Sequence, residues 1–203
     1  DEEKVEAIKK WWKDNGTSVI VGVTIGLGAV FGWRAWVQYQ EGVSQQASAA
    51  FEQLMASVET GGSDTARQQS ELLGKEYEST PYAALGSLLR ARVELEAGDA
   101  AAARTWLELA IQKAPDPGIS RVAALRLARV LVSEDDLSGA AAVIEKHDQG
   151  GSFSGDFDAI RGDIAAAQGK TGEARDAYRR AIAGGAANPE LLQLKLDNLP
   201  PAG

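Results

Sequence analysis

The chain has no cysteine, one histidine, one methionine and six prolines among its 203 residues. Without cysteine there is no disulfide, no thiolate metal site and no lipobox, so an acylated lipoprotein is not expected. A single histidine, His147, leaves no second imidazole at metal-ligand spacing. Scarce proline removes the commonest helix breaker. Val, Ile and aromatic residues thin out after the first forty positions, where Ala, Leu, Glu, Arg and Gln take over. That shift disfavours strands and favours helix. Charge is absent from Asn15 to Trp33, a run of nineteen residues. The formal net charge is −8, and residues 1–37 balance five acids with five bases, so the excess acid lies in residues 38–203. An acidic body is repelled by phosphate backbones, which argues against nucleic-acid binding.

What is present begins with that uncharged run. Val19, Ile20, Val21, Val23, Ile25, Leu27, Val30 and Phe31 lie in it, with Trp11 and Trp12 before it and Trp33, Trp36 and Tyr39 at or beyond its end. From Trp12 to Trp33 a helix covers about 32 Å, close to the apolar thickness of a bilayer. Aromatic residues at both edges suit interfacial anchoring. The expected organisation is a cytoplasmic segment 1–14, a transmembrane helix 15–37 and an exported domain 38–203. A buried core helix is the rival reading, but usually carries a polar stripe.

Lys4, Lys9, Lys10 and Lys13 precede the run, Arg34 follows it, and the next basic residue is Arg67. The positive-inside rule then keeps the N-terminus in the cytoplasm. Cleavage as a signal peptide is the alternative, but Gly32-Trp33-Arg34-Ala35-Trp36 offers no small-x-small site. The chain opens on Asp1 rather than Met, and a few cytoplasmic residues are expected to precede it. Val5, Ile8, Trp11 and Trp12 share a helix face, which fits either headgroup contact or a simple extension of the span. Gly22 with Gly26, and Gly28 with Gly32, form two G-x-x-x-G spacings that allow close helix–helix contact; glycine is also common in membrane helices generally. The likeness of Gly26-Leu27-Gly28 and Gly32 to a dinucleotide-binding turn is accidental, since no strand precedes it.

Beyond Tyr39 the chain reads as repeated helix, turn, helix. One unit runs through Ala91, Gly98-Asp99, Ala103, Leu107 and Ala110 to Pro115. A second runs through Ala128, Asp135-Asp136, Ala140 and Ile144 to His147. A third runs through Gly162, Gly169-Lys170, Ala174 and Tyr178 to Ala181. The small residue after each turn recurs at 103, 140 and 174, intervals of 37 and 34. That period is the tetratricopeptide pattern, in which small residues let paired helices close. Residues 41–58 and 64–77 read as a degenerate first pair, 189–197 as a closing helix, and Gly150–Gly155 as the longest loop. The predicted fold is all-α: one transmembrane helix followed by a tetratricopeptide-like solenoid of helix pairs.

No constellation carries catalysis, and the chain reads as a non-enzyme with no cofactor. His147 stands where a repeat has a packing residue, Asp135-Asp136 reads as turn and cap chemistry, and Ser152 and Ser154 match no nucleophile elbow. What remains is the face formed by the first helix of each pair, where repeat proteins bind chains or helices. By repeat position Arg92, Leu95, Glu96, Arg129, Val132 and Asp163 face it as candidate partner-binding residues; solvated surface is the bland alternative.

Three stretches together resemble the YfgM family. They are Val5 through Trp11-Trp12 to Gly16, the Gly-rich span ending Gly32-Trp33-Arg34, and Leu192-Gln193-Leu194-Lys195-Leu196-Asp197-Asn198-Leu199. Members of that family are ancillary subunits of the bacterial Sec translocon. The resemblance implies an inner-membrane protein with a periplasmic tetratricopeptide-like domain, associated with SecY, SecE and SecG and with the chaperone PpiD. The implied role is an adaptor or chaperone helping unfolded secretory or outer-membrane proteins pass from the channel to periplasmic chaperones. Two other employments suit the same architecture: a stress-response regulator acting through its cytoplasmic tail, and a periplasmic scaffold for envelope machinery.

Overall fold

The computed structural model describes residues 2–201, so the expected segment bounds at residues 1 and 203 lie outside the described residues. Among the described residues there are nine helices and no strand: α1 (Glu2–Glu59), α2 (Ser63–Glu76), α3 (Pro81–Glu96), α4 (Ala100–Lys113), α5 (Pro117–Ser133), α6 (Leu137–His147), α7 (Ser154–Ala167), α8 (Thr171–Ala183) and α9 (Pro189–Asp197). The chain divides into two compact units, Asp1–Gln46 and Ala47–Gly203.

The first unit is the N-terminal part of α1. It is long and apolar enough to cross a membrane, and only 6% of its apolar window is buried. A core helix of a soluble protein would be mostly covered; here Ile25 and Phe31 are each about two-thirds exposed. Two of its polar side chains bond within the helix. Thr24 Oγ1 donates to the Ile20 carbonyl at 2.8 Å, and Asn15 Nδ2 donates to the Trp11 carbonyl at 3.1 Å. Such internal bonding is what an apolar solvent demands. α1 runs on past residue 40 to Glu59. No proline falls between the span and Glu59, and a single interior glycine, Gly42, costs only about 1 kcal/mol.

The second unit stacks helix pairs. The C-terminal turns of α1 pair with α2, then come α3–α4, α5–α6 and α7–α8, and α9 closes the last pair. Ala103, Ala140 and Ala174 are each fully buried, as the repeat register requires. Three glycines and one aspartate hold the equivalent left-handed turn position: Gly61, Gly98, Asp135 and Gly169 have φ of 76°, 81°, 63° and 73°. The next residue then caps the following helix in two of the turns. Asp99 accepts from Ala102 N and Asp136 from Gly139 N, both at 2.9 Å.

The main core runs from Leu88 in α3 through Leu107, Leu127 and Ile144 to Phe157 and Ile160 in α7. A second cluster joins Ala174 and Tyr178 to Leu192 and Leu196 of α9, and a third joins Leu54 and Val58 to Leu73 and Val93. The loop between α6 and α7 starts earlier than expected and stops at Phe153; Ser154 and Gly155 are already helical. A Cβ on Gly155 would stand 2.8 Å from Ala186 N and 2.9 Å from the Ala181 carbonyl oxygen. Glycine there permits backbone contact between α7 and the end of α8, which a Gly-rich stretch read as loop conceals.

Candidate partner-binding groove

The first helices of successive pairs touch one another, α3 with α5 and α5 with α7, so one side of the stack is built from them. Between α3 and α5 they leave an open groove of about 410 Å³. Leu88, Ala91, Leu107 and Val130 form its buried floor. Leu95 rises from the rim with 42% of its surface exposed. Arg92 from α3 and Arg126 and Arg129 from α5 stand around that apolar strip, with Ser133 at its end. The pattern follows from helical spacing: three- and four-residue steps on α3 and α5 bring arginine and leucine to one face.

The arginines are not equivalent. Arg92 Nε donates to Glu96 Oε1 at 2.7 Å, and Arg129 lies 3.6 Å from Asp156 Oδ1. Among the described residues no carboxylate comes within ion-pair distance of Arg126. Burial by its surroundings, then the charges of Arg129 and Arg92, hold its pKa below the ordinary arginine value. A second hollow of about 320 Å³ continues past Arg129 along α7 and α9, with Ile160, Asp163, Leu191 and Lys195 in its wall.

Of the residues picked from repeat position, Arg92, Leu95 and Arg129 line the first groove, and Arg129 and Asp163 the second. Glu96 is exposed and engaged with Arg92; Val132 is half-buried against the main core. Asp163 Oδ1 accepts from Lys195 Nζ at 2.6 Å and from the Tyr178 hydroxyl at 2.7 Å, so its charge holds α7, α8 and α9 together. Repeat position did not single out Arg126. The signal was there, since Arg126 precedes Arg129 by three and shares its face. On α1, a Cβ at Gly22, Gly26, Gly28 or Gly32 would meet nothing within 4 Å.

Among the described residues no group of three or more His, Asp or Glu side chains is placed to hold a metal ion. His147 is half-buried beside Lys146, and burial first, then that lysine, hold its pKa below the ordinary histidine value. Phe153 packs on the main core. Its loop is pinned by Arg121, whose guanidinium donates to the Gln149 side chain at 3.2 Å and to the Gly150 carbonyl at 3.4 Å.

A stack of antiparallel helix pairs with left-handed turns and an open face of first helices defines a tetratricopeptide-like protein. The family model described as "Tetratricopeptide repeat-like domain" matches residues 9–201. Three curated relatives align over almost their whole length. The protein of Haemophilus influenzae is 30% identical over 98% of this chain and 97% of its own. That of Aggregatibacter actinomycetemcomitans is 32% identical over 98% and 97%. That of Escherichia coli K12 is 30% identical over 98% and 96%. Each relative is named "Ancillary SecYEG translocon subunit". The chain belongs to this family, the YfgM family that its terminal stretches resemble.

Proposed function

We propose that this protein is an ancillary component of the bacterial Sec translocon: a membrane-anchored adaptor that receives partner proteins on its tetratricopeptide-like domain. The observation that carries the reading is the end-to-end match to relatives named as subunits of SecYEG, anchor helix included. In this reading residues 15–37 cross the inner membrane, the N-terminal segment is cytoplasmic, and the domain from residue 38 onward is periplasmic. The four lysines before the span support that orientation.

The groove supplies the working surface. An apolar strip edged by arginines suits extended or partly folded secretory and outer-membrane chains, bound weakly and released again. Weak binding suffices because tethering beside the channel raises the domain's local concentration around an emerging chain. Hand-over to periplasmic chaperones, with PpiD as the membrane-bound partner, completes the proposed role; no bond-making chemistry is needed for it.

Affinity purification of the full chain from membranes in mild detergent tests this reading. SecY should co-purify, and PpiD with it. Recovery of division or cell-wall machinery instead would move the protein to the scaffold class, and recovery of a cytoplasmic regulator alone would move it to the signalling class.

A further inference from the structure

The α3–α5 groove holds three cations in a domain whose net charge is strongly negative, and one of them has no acidic partner among the described residues. Arg92 is matched by Glu96 at 2.7 Å and Arg129 by Asp156 at 3.6 Å, while Arg126, on the same groove, has no carboxylate within ion-pair distance among the described residues. All three arginines are exposed and solvated, and their like charges, only two of them matched, favour a negative group that joins them at the groove. Arginine presents a planar donor fork that matches a carboxylate in two parallel hydrogen bonds. The groove floor below is leucine, valine and alanine, which rewards an apolar side chain rather than a second charge.

From this we infer that the groove is a subsite for a carboxylate-bearing segment of a protein partner, one in which an aspartate or glutamate stands beside a large aliphatic residue. Arg126 takes the carboxylate, Arg92 and Arg129 favour its charge from either side, and the neighbouring aliphatic side chain lies against Leu95 and over Leu88. The remainder of the partner runs toward α7 and α9, where the half-exposed Leu191 continues the apolar surface. An anionic lipid surface or a nucleic acid presents many negative charges to a chain of net charge −8 and is repelled by it, whereas a peptide brings a single carboxylate. The inference rests on the proposed use of this face for partner proteins and adds the chemistry selected there.

The test uses the purified full chain in neutral detergent and two fluorescent peptides, identical except that an aspartate between two leucines in one is asparagine in the other. Fluorescence anisotropy should give an affinity about tenfold higher for the aspartate peptide, the scale of one charge-assisted pair. Arg126→Gln should lower that affinity toward the level of the asparagine peptide, and Arg126→Lys should restore part of the difference. Equal affinity for the two peptides, or discrimination that survives Arg126→Gln, overturns the carboxylate subsite and leaves the groove as a binding face. Binding of neither peptide also overturns it, and SecY co-purification then decides the adaptor reading separately. Competition by phosphatidylglycerol vesicles as strong as by unlabelled aspartate peptide would reassign the patch to the membrane surface and equally overturn the inference.

Discussion

The Tyr178 hydroxyl donates to Asp163 Oδ1 at 2.7 Å, locking the second helix of the last pair onto the first. The ring reaches that position because residue 162 is glycine: a Cβ there would stand 2.4 Å from two ring carbons. Burial, then the hydrogen bond to Asp163, raise the tyrosine pKa above its ordinary value. Gly162→Ala is therefore expected to lower stability by about 1–3 kcal/mol through overpacking. Tyr178→Phe keeps the packing and loses one hydrogen bond, about 1 kcal/mol. The sign of the pH effect follows from the raised pKa. The contribution is complete below about pH 10, the unfolded tyrosine value, and fades as pH rises through the folded value. Thermal melts at neutral and alkaline pH should show a steeper alkaline loss in wild type than in Tyr178→Phe.

Acid should act at the other end of the domain. Glu94 is 4% exposed, and Arg67 grips it with Nε at 3.1 Å and a terminal nitrogen at 3.0 Å, while Arg90 pairs with it along the helix. The Arg67 hydrogen bond is the foremost cause holding the Glu94 pKa below its ordinary value, and burial opposes it. Stability from this cluster is present above about pH 4.3, the unfolded glutamate value, and is lost as pH falls through the folded value. Urea titrations from neutral to acid pH should show that loss, and Glu94→Gln should be destabilised at neutral pH with a flatter acid limb. An unchanged acid limb would remove Glu94 from this role.

Asp135 occupies a turn position that Gly61, Gly98 and Gly169 fill in the neighbouring pairs, with φ of 63°. The left-handed conformation costs a side chain roughly 1–2 kcal/mol, somewhat less for aspartate. Asp135→Gly should therefore raise the melting temperature, by about 2–4 °C for a gain near 1 kcal/mol in a domain of this size. A calorimetric scan that shows no rise would mean that Asp135 makes a compensating interaction.

Much of the fold was legible in the spacing of small residues. Ala103, Ala140 and Ala174 fixed the register, and residues 189–197 correspond to α9, Pro189–Asp197. Local signals served well because turns and caps are local chemistry: a left-handed glycine, then an aspartate bonded to the next helix. What was illegible needed a neighbour to interpret it. Gly155 looks like loop material until the backbone of Ala181 and Ala186 is placed against it. Asp163 looks like a groove charge until Tyr178 and Lys195 claim the same oxygen. The difference between Arg126 and Arg129 lies in Asp156, which reaches Arg129 from α7, well beyond any pattern on α5.

Orientation is checked independently of packing. A reporter joined to the C-terminus should be active only if it functions in the periplasm, as expected from Lys4, Lys9, Lys10 and Lys13. The full-length protein should stay with the membrane during alkaline carbonate extraction, given an apolar window only 6% buried. Cytoplasmic reporter activity, or a shortened soluble product, would contradict the anchor reading.

The measurement that bears most directly on the adaptor claim is site-specific photo-crosslinking in translocating membranes. A photoreactive residue replaces Leu95 at the exposed rim of the α3–α5 groove, and in a control it replaces Ala142, an exposed residue of α6 that lines a separate hollow with Glu108 and Lys146. A secretory chain arrested in the channel should crosslink strongly at position 95 and weakly at 142, and the adduct should disappear once the chain is released. Equal crosslinking at the two positions, or none at 95 while SecY still co-purifies, would contradict the groove as the surface that receives emerging chains.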